Sequence, residues 1–151
     1  MASRATPSPE TESARDYAAI ALDYAKRAAA DSKGKRHCKW VRLAAERHLR
    51  DLRKKDWPFK FDAWHANDVC DFIEKLPHVE GHWETPTLRL EPAQIFILAV
   101  VFGWRRKDDG KRRFTMAYIE MARKGAKSTL TAGVSLYCTC CEGEPGPLTL
   151  I

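Results

Sequence analysis

The run Ile95-Phe-Ile-Leu-Ala-Val-Val-Phe102 is the longest strongly apolar stretch of this 151-residue chain, and it limits what the chain can become. Pro92 precedes it and Gly103 follows it. Proline suits a first helical position and glycine a helix end, so residues 92–102 are predicted to form an apolar helix. Eight apolar residues fall well short of the roughly 20 that cross a bilayer, which excludes a membrane-spanning chain. Aromatic residues make up 10% of the sequence, too many for wholesale disorder, and the length suits one domain or one domain plus part of another. The opening Met1-Ala-Ser-Arg-Ala-Thr-Pro-Ser-Pro-Glu10 carries one Arg and no apolar core, unlike a secretory signal. The five cysteines, an odd number, are therefore expected to be cytosolic thiols rather than a disulfide framework.

Residues 1–14, rich in Ser, Thr, Pro and Glu, are expected to be disordered. From Arg15 onward Tyr17, Ile20, Ala21, Tyr24 and Ala28 recur at helical spacing, and Gly34 follows. A second helix is predicted from Cys38 to about Lys54, with Val41, Ala45, His48, Leu49 and Leu52 as its apolar stripe. Trp57-Pro58-Phe59 breaks it, because proline disfavours helix in the residue before it. A third helix is predicted from an Asp62 N-cap to Leu76, burying Val69, Phe72, Ile73 and Leu76 before Pro77. Residues 77–90 suit a loop or short extended stretch, and Asp109-Gly110 centres a charged turn. Phe114-Thr-Met-Ala-Tyr-Ile-Glu120 is rich in β-formers and apolar on both faces, as a strand covered on both sides would be. A helix is then predicted from about Ser128 to Cys141, and a turn at Gly143-Glu-Pro-Gly146. The close, Pro147-Leu-Thr-Leu-Ile151, is expected to be the beginning of a further strand, cut short.

Charge is distributed by segment. Residues 33–60 hold eleven Lys/Arg against Glu46, Asp51 and Asp56, residues 61–100 hold two against seven acids, and residues 105–113 hold six against Asp108 and Asp109. Two basic blocks thus flank an acidic one within a net charge of +6. An anionic partner such as nucleic acid is one reading of them, and solvated basic helix faces are the other.

A strand, a loop, Lys-Ser-Thr and a helix is the order of a P-loop. Such a loop works because backbone N–H groups at a helix N-terminus surround phosphate, a Lys reaches the terminal phosphates and a Ser/Thr hydroxyl holds Mg²⁺. Met121-Ala-Arg-Lys-Gly-Ala-Lys127-Ser128-Thr129 matches that pattern at its Lys and Ser, but Met121 and Ala126 occupy the two glycine positions. As a bare pattern it is equally well a basic helix start after a strand.

The surrounding order carries more. Leu88-Arg-Leu-Glu-Pro-Ala-Gln-Ile-Phe-Ile-Leu98, Phe102-Gly-Trp104, Arg112-Arg-Phe-Thr-Met-Ala-Tyr-Ile-Glu120, the loop, Ala132-Gly-Val-Ser-Leu-Tyr137 and Gly143-Glu-Pro-Gly146 follow one another. Ahead of them stand Cys38-Lys-Trp-Val-Arg-Leu-Ala-Ala-Glu-Arg-His-Leu-Arg-Asp-Leu52, Trp57-Pro-Phe59 and Phe72-Ile-Glu-Lys-Leu-Pro-His78. This order over residues 15–151 resembles the start of tailed-phage terminase large subunits, the DNA-packaging motor. The resemblance implies an α/β fold: a disordered tail at 1–14, a helical N-terminal segment at 15–87, and at 88–151 the incomplete start of a P-loop ATPase domain with its parallel sheet. It implies ATP and Mg²⁺ as cofactors, with Arg123, Lys124, Gly125, Ala126, Lys127, Ser128 and Thr129 at the phosphates. Lys127 would contact the β/γ-phosphates, Ser128 would ligate Mg²⁺ with Thr129 beside it, and Arg123 would act near the γ-phosphate as the catalytic arginine. Gln94 matches a Gln that reads adenine, although Ala93 stands where the family has an aromatic residue. Gly125-Ala126 replaces the family's common Asn-Gly, so a methyl group sits where backbone must approach phosphate. Implied partners are double-stranded viral DNA, the portal protein and the terminase small subunit, within an oligomeric ring in the host cytoplasm.

Two other readings stand beside it: a freestanding basic helical DNA-binding or adaptor module, and an inactive prophage remnant. Hydrolysis also needs an acidic strand for Mg²⁺ and a water-activating residue. Neither is recognisable after Arg113, nor is the family's endonuclease domain, so this stretch alone is expected to be catalytically inert. His78 and His82 flank Gly81 in a loop and do not suggest zinc, and the Cys138, Cys140 and Cys141 group suggests a buried helix face with one exposed thiol. The five Trp are expected to be core or interface anchors, and His48 a satisfied core histidine.

Overall fold

The computed structural model describes residues 15–79, 81–82, 84–123 and 125–143. Expectations for residues 1–14 and 144–151 lie outside it. The described residues are mostly helical: α1 (Tyr17–Ala30), α2 (Lys39–Leu52), α3 (Ala63–Glu74), α4 (Pro92–Gly103) and α5 (Lys127–Cys140). Two short strands, β1 (Phe59–Phe61) and β2 (Trp104–Arg106), complete the regular structure.

The apolar run becomes α4, and its position organises the rest. Glu91 and Gln94 close a capping box at its start, with Pro92 in the first turn. Ile95, Phe96, Leu98, Ala99, Val100 and Phe102 are all buried, as a helix apolar on every side requires. α1 packs on it and on α2, and its buried face is built of alanines: Ala21, Ala25 and Ala28 are fully buried. α3 packs on its other side, starting from the expected Asp62 N-cap, whose carboxylate accepts the Trp64 N–H at 3.1 Å. α3 ends at Glu74, two residues before the expected Leu76. Glu74 ties three segments together, accepting the Tyr17 hydroxyl at 2.8 Å and the Leu90 N–H at 2.8 Å while pairing with Arg15. Residues 77–90 return on themselves: Pro77 bridges Thr87, and Leu88 N–H donates to the Leu76 carbonyl at 2.9 Å.

The antiparallel pair β1–β2, with Phe61 opposite Trp104, was not expected. It forms because α4 and α3 bring residues 59–61 and 104–106 side by side, closely enough that a Cβ on Gly103 would lie 2.6 Å from the Phe61 ring. Gly110, at φ +69°, turns the chain in the charged segment, as predicted.

The expected strand at 114–120 is absent. The segment is irregular, residues 115–120 are exposed, and Met116 and Tyr118 are 88% and 89% accessible. Among the described residues no strand runs beside it, so its backbone groups have no ladder and its apolar side chains no cover. A parallel P-loop sheet is therefore not seen, and the two-stranded antiparallel sheet stands in the described structure instead.

His48 is a satisfied core histidine. It is 2% exposed, accepts the Trp104 indole N–H on Nδ1 at 3.1 Å, and meets the edges of Phe61 and Phe96. Burial, aided by Arg47 and Arg113 against the opposing pull of Asp51, pushes its pKa down to about 4. The unfolded chain then binds a proton between about pH 6.5 and 4 that the folded chain refuses, so stability falls as pH drops through that window. Urea unfolding should show a loss of about 2 kcal/mol from this group between about pH 7 and pH 5. An imidazole resonance for His48 titrating at its ordinary value would contradict the burial account.

The tryptophans divide. Trp104 is 2% exposed and Trp57 packs against it, whereas Trp40 and Trp64 are 73% and 64% exposed; Trp83 lies outside the described residues. The five cysteines are free, with Cys70 buried, Cys138 half-buried, and Cys140 and Cys141 both exposed. No helix among the described residues is long and apolar enough to cross a membrane.

Candidate phosphate-binding loop

α5 begins one residue earlier than expected, at Lys127, and the loop before it has a defined shape. Gly125 N–H donates to the Ala122 carbonyl at 3.2 Å, closing a tight turn. A Cβ on residue 125 would lie 3.2 Å from that carbonyl oxygen and 3.3 Å from the Met121 Cβ, so a side chain here would crowd the turn by a few tenths of an ångström. Ala126 follows at φ +54°, ψ +30°, the one described non-glycine residue in the left-handed region. That conformation costs an alanine roughly 1 kcal/mol relative to glycine. The glycine of this loop thus serves the tight turn, while the left-handed position falls to a residue that pays for it in strain.

Lys127 folds back across the loop. Its Nζ donates to the carbonyls of Met121 at 3.0 Å and Ala122 at 3.1 Å, so one ammonium closes the loop's two ends. Ala126 offers no side-chain cap to α5, leaving the first-turn N–H groups without a side-chain partner. Ser128 and Thr129 are exposed, as is Arg123, and none of the three has a side-chain hydrogen bond or ion pair among the described residues. Lys124 lies outside the described residues. The result is an exposed helix start with open amides, a cation at its mouth and two free hydroxyls. That donor set is complementary in charge to an anion, and the helix dipole adds to it.

Gln94 stands apart by its bonding. Its Oε1 accepts the Glu91 N–H at 2.9 Å in the capping box of α4, and no hydrogen bond joins it to the loop. The structure brings together Arg123, Gly125, Ala126, Lys127, Ser128 and Thr129 by chain continuity and leaves Gln94 on another element.

What holds the loop's helix in place was not singled out from sequence. The Tyr137 hydroxyl donates to Asp68 at 2.7 Å, and its ring meets Phe72 and Phe102 edge-on. Burial and the Asp68 carboxylate push the Tyr137 phenol well above its ordinary range. Gly133 lets α5 close on Ile73, whose side chain lies 3.1 Å from where a Cβ would be. At the far end Glu142 pairs with Arg112 at 3.0 Å and Arg105 at 3.4 Å. The stripe Leu130, Gly133, Tyr137 is legible as helical spacing, but its partners on α3 and α4 are not.

Among the described residues no three His, Cys, Asp or Glu side chains cluster as a metal site. His78 Nε2 lies 3.4 Å from the Thr85 hydroxyl, in a loop rather than on a helix.

Residues 92–151, which take in α4, β2, the loop and α5, match the family model described as the terminase large subunit, ATPase domain. No curated protein and no solved structure matches the chain.

Proposed function

We propose that residues 92–151, which match the family model of the terminase large subunit ATPase domain, are part of such a domain, and that the loop at 121–129 is the ATP phosphate-binding loop of a phage DNA-packaging motor. The observation that carries this reading is Lys127 closing the loop onto the Met121 and Ala122 carbonyls beneath an uncapped helix start. An ammonium held there by two carbonyls can exchange one of them for a phosphate oxygen without a large movement. Lys127 and the amides that open α5 would hold the phosphates, and the exposed Ser128 hydroxyl would hold Mg²⁺ with Thr129 beside it. Arg123 and Lys124 would add charge from the loop, Arg123 as the arginine that stabilises the transferring phosphoryl group. Gln94 would use its remaining amide donors toward adenine. Mg²⁺, when bound, supplies charge that offsets the phosphate oxygens.

The irregular 114–120 segment belongs to the same proposal. Its β-forming composition and exposed apolar side chains fit a strand that is ordered only when neighbouring strands of the domain's parallel sheet pair with it. The motor would act on double-stranded viral DNA in the host cytoplasm, as an oligomeric ring with portal protein and terminase small subunit.

Calorimetric titration of ATP with Mg²⁺ tests the loop. Lys127→Ala should weaken binding about tenfold or more, the loss expected for one charge-assisted contact. Equal affinity in the two proteins would remove the assignment.

A further inference from the structure

The connection from α1 to α2 is built more firmly than an exposed basic loop requires. The Asp31 carboxylate accepts three backbone N–H groups, from Lys35 at 3.1 Å, Arg36 at 2.8 Å and His37 at 2.8 Å. Those bonds hold the carboxyl well below the usual carboxylate range. From α2, Arg42 Nη1 donates to the carbonyls of Asp31 at 3.2 Å and Ser32 at 3.1 Å. Gly34, at φ +61°, lies against the same guanidinium.

What this scaffold holds out is charge. Lys35 and Arg36 are exposed, and neither has an acidic partner among the described residues. They stand on the rim of a cavity of about 620 Å³ between the loop, α1 and the first turn of α4. Arg27 adds a third cation to its wall, itself paired with Asp23 at 2.9 Å. Tyr24, Pro92 and Ala93 give the cavity an apolar side, and Tyr24 is fixed by ring contacts with His37 at 5.4 Å and Phe96 at 5.3 Å. The two acids on the wall are committed elsewhere: Asp31 to the loop amides, and Glu91 to the amide of Gln94. An apolar concavity rimmed by free cations, with its acids already bonded, suits an anion attached to a flat or apolar group.

We propose that this cavity is a second phosphate-binding site, contacted by Lys35 and Arg36, for phosphates carried by a free nucleotide or by a nucleic-acid backbone. It uses no residue of the 121–129 loop, but Ala93 on its wall adjoins Gln94, so Lys127→Ala is needed to tell it apart from the ATP site.

The test uses the 151-residue chain, the double variant Lys35→Ala/Arg36→Ala, and Lys127→Ala. Both changed loop residues are exposed and the Asp31 bonds go to backbone, so the double variant should keep the parent's circular dichroism. Fluorescence anisotropy follows a labelled duplex of roughly 20 base pairs at low and moderate salt, and calorimetry follows ATP. The double variant should lose about tenfold or more in affinity for one of the two ligands. If the duplex is the one weakened, the slope of log affinity against log salt should shrink by about two, and Lys127→Ala should leave duplex binding at the parent value. If ATP is the one weakened and the loss adds to that of Lys127→Ala when the variants are combined, the phosphates are those of a free nucleotide at a second site; a loss that does not add to Lys127→Ala puts Lys35 and Arg36 on the loop's own ATP site and overturns the proposal. Parent-level binding of both ligands by the double variant, or no binding of either by the parent, overturns the proposal.

Discussion

Phe102→Ala is expected to destabilise the chain by about 3–5 kcal/mol, measured by urea unfolding. The side chain is 1% exposed at the end of α4 and is among the largest fully buried groups. Its ring meets Tyr137 edge-on at 5.4 Å, and the Arg112 guanidinium lies over it at 5.1 Å. Truncation removes transfer free energy, opens a cavity and withdraws one of the two rings that hold Tyr137. The effect should therefore reach α5: its amides should exchange with solvent disproportionately faster than those of α1. A loss below about 1 kcal/mol would mean that this core collapses freely around the vacancy and that Phe102 does not anchor α5.

Asp51→Ala is expected to cost a comparable amount, about 3–5 kcal/mol, through charge rather than volume. Asp51 is 2% exposed, with Oδ1 2.8 Å from Lys54 Nζ and Oδ2 2.9 Å from Arg113 Nη1. Burial pushes its carboxyl up, but the ion pair with Lys54 and the hydrogen bond from Arg113 outweigh that and leave it below its ordinary value. Arg113 lies over the rings of Trp57 at 4.3 Å and Phe114 at 4.6 Å, in a setting with little water to replace a lost carboxylate. Removing Asp51 strands that guanidinium. Arg113→Met alone should also destabilise, but the double variant should be markedly less unstable than the two losses summed. Additive losses would show that the pair contributes nothing as a pair.

These two residues mark the boundary of what could be read in advance. Helix positions were legible because their signals are local: Asp62 before α3, Pro92 and Gly103 around α4, alanines at helical spacing in α1. The β1–β2 pair was not, since two three-residue strands more than forty positions apart carry no periodicity of their own. Arg113 and Asp51 are 62 positions apart, and charge counting put them in the separate basic blocks 105–113 and 33–60 without pairing them. The strand expected at 114–120 shows the converse: composition specifies what a segment can pair as, but only a neighbouring strand makes it one.

The candidate loop was legible in kind and not in detail. Lys127-Ser128-Thr129 at a helix start could be found by pattern, and Gly125-Ala126 looked like a departure from it. The structure gives each a separate task, with Gly125 allowing the tight turn and Ala126 taking the left-handed position at a cost. Neither task follows from residue identity, because each depends on where the Ala122 carbonyl and the Lys127 ammonium end up. The exposed Trp40 and Trp64 make the same point for apolar side chains. Hydrophobicity predicts burial only where the helix face has a neighbour.

The central claim is that residues 121–129 bind the phosphates of ATP. Amide hydrogen exchange of this chain, followed by mass spectrometry with and without saturating ATP and Mg²⁺, tests it directly. Slowed exchange across Met121–Leu130, lost in Lys127→Ala, is the predicted result. Unchanged exchange across that stretch under saturating nucleotide would contradict it.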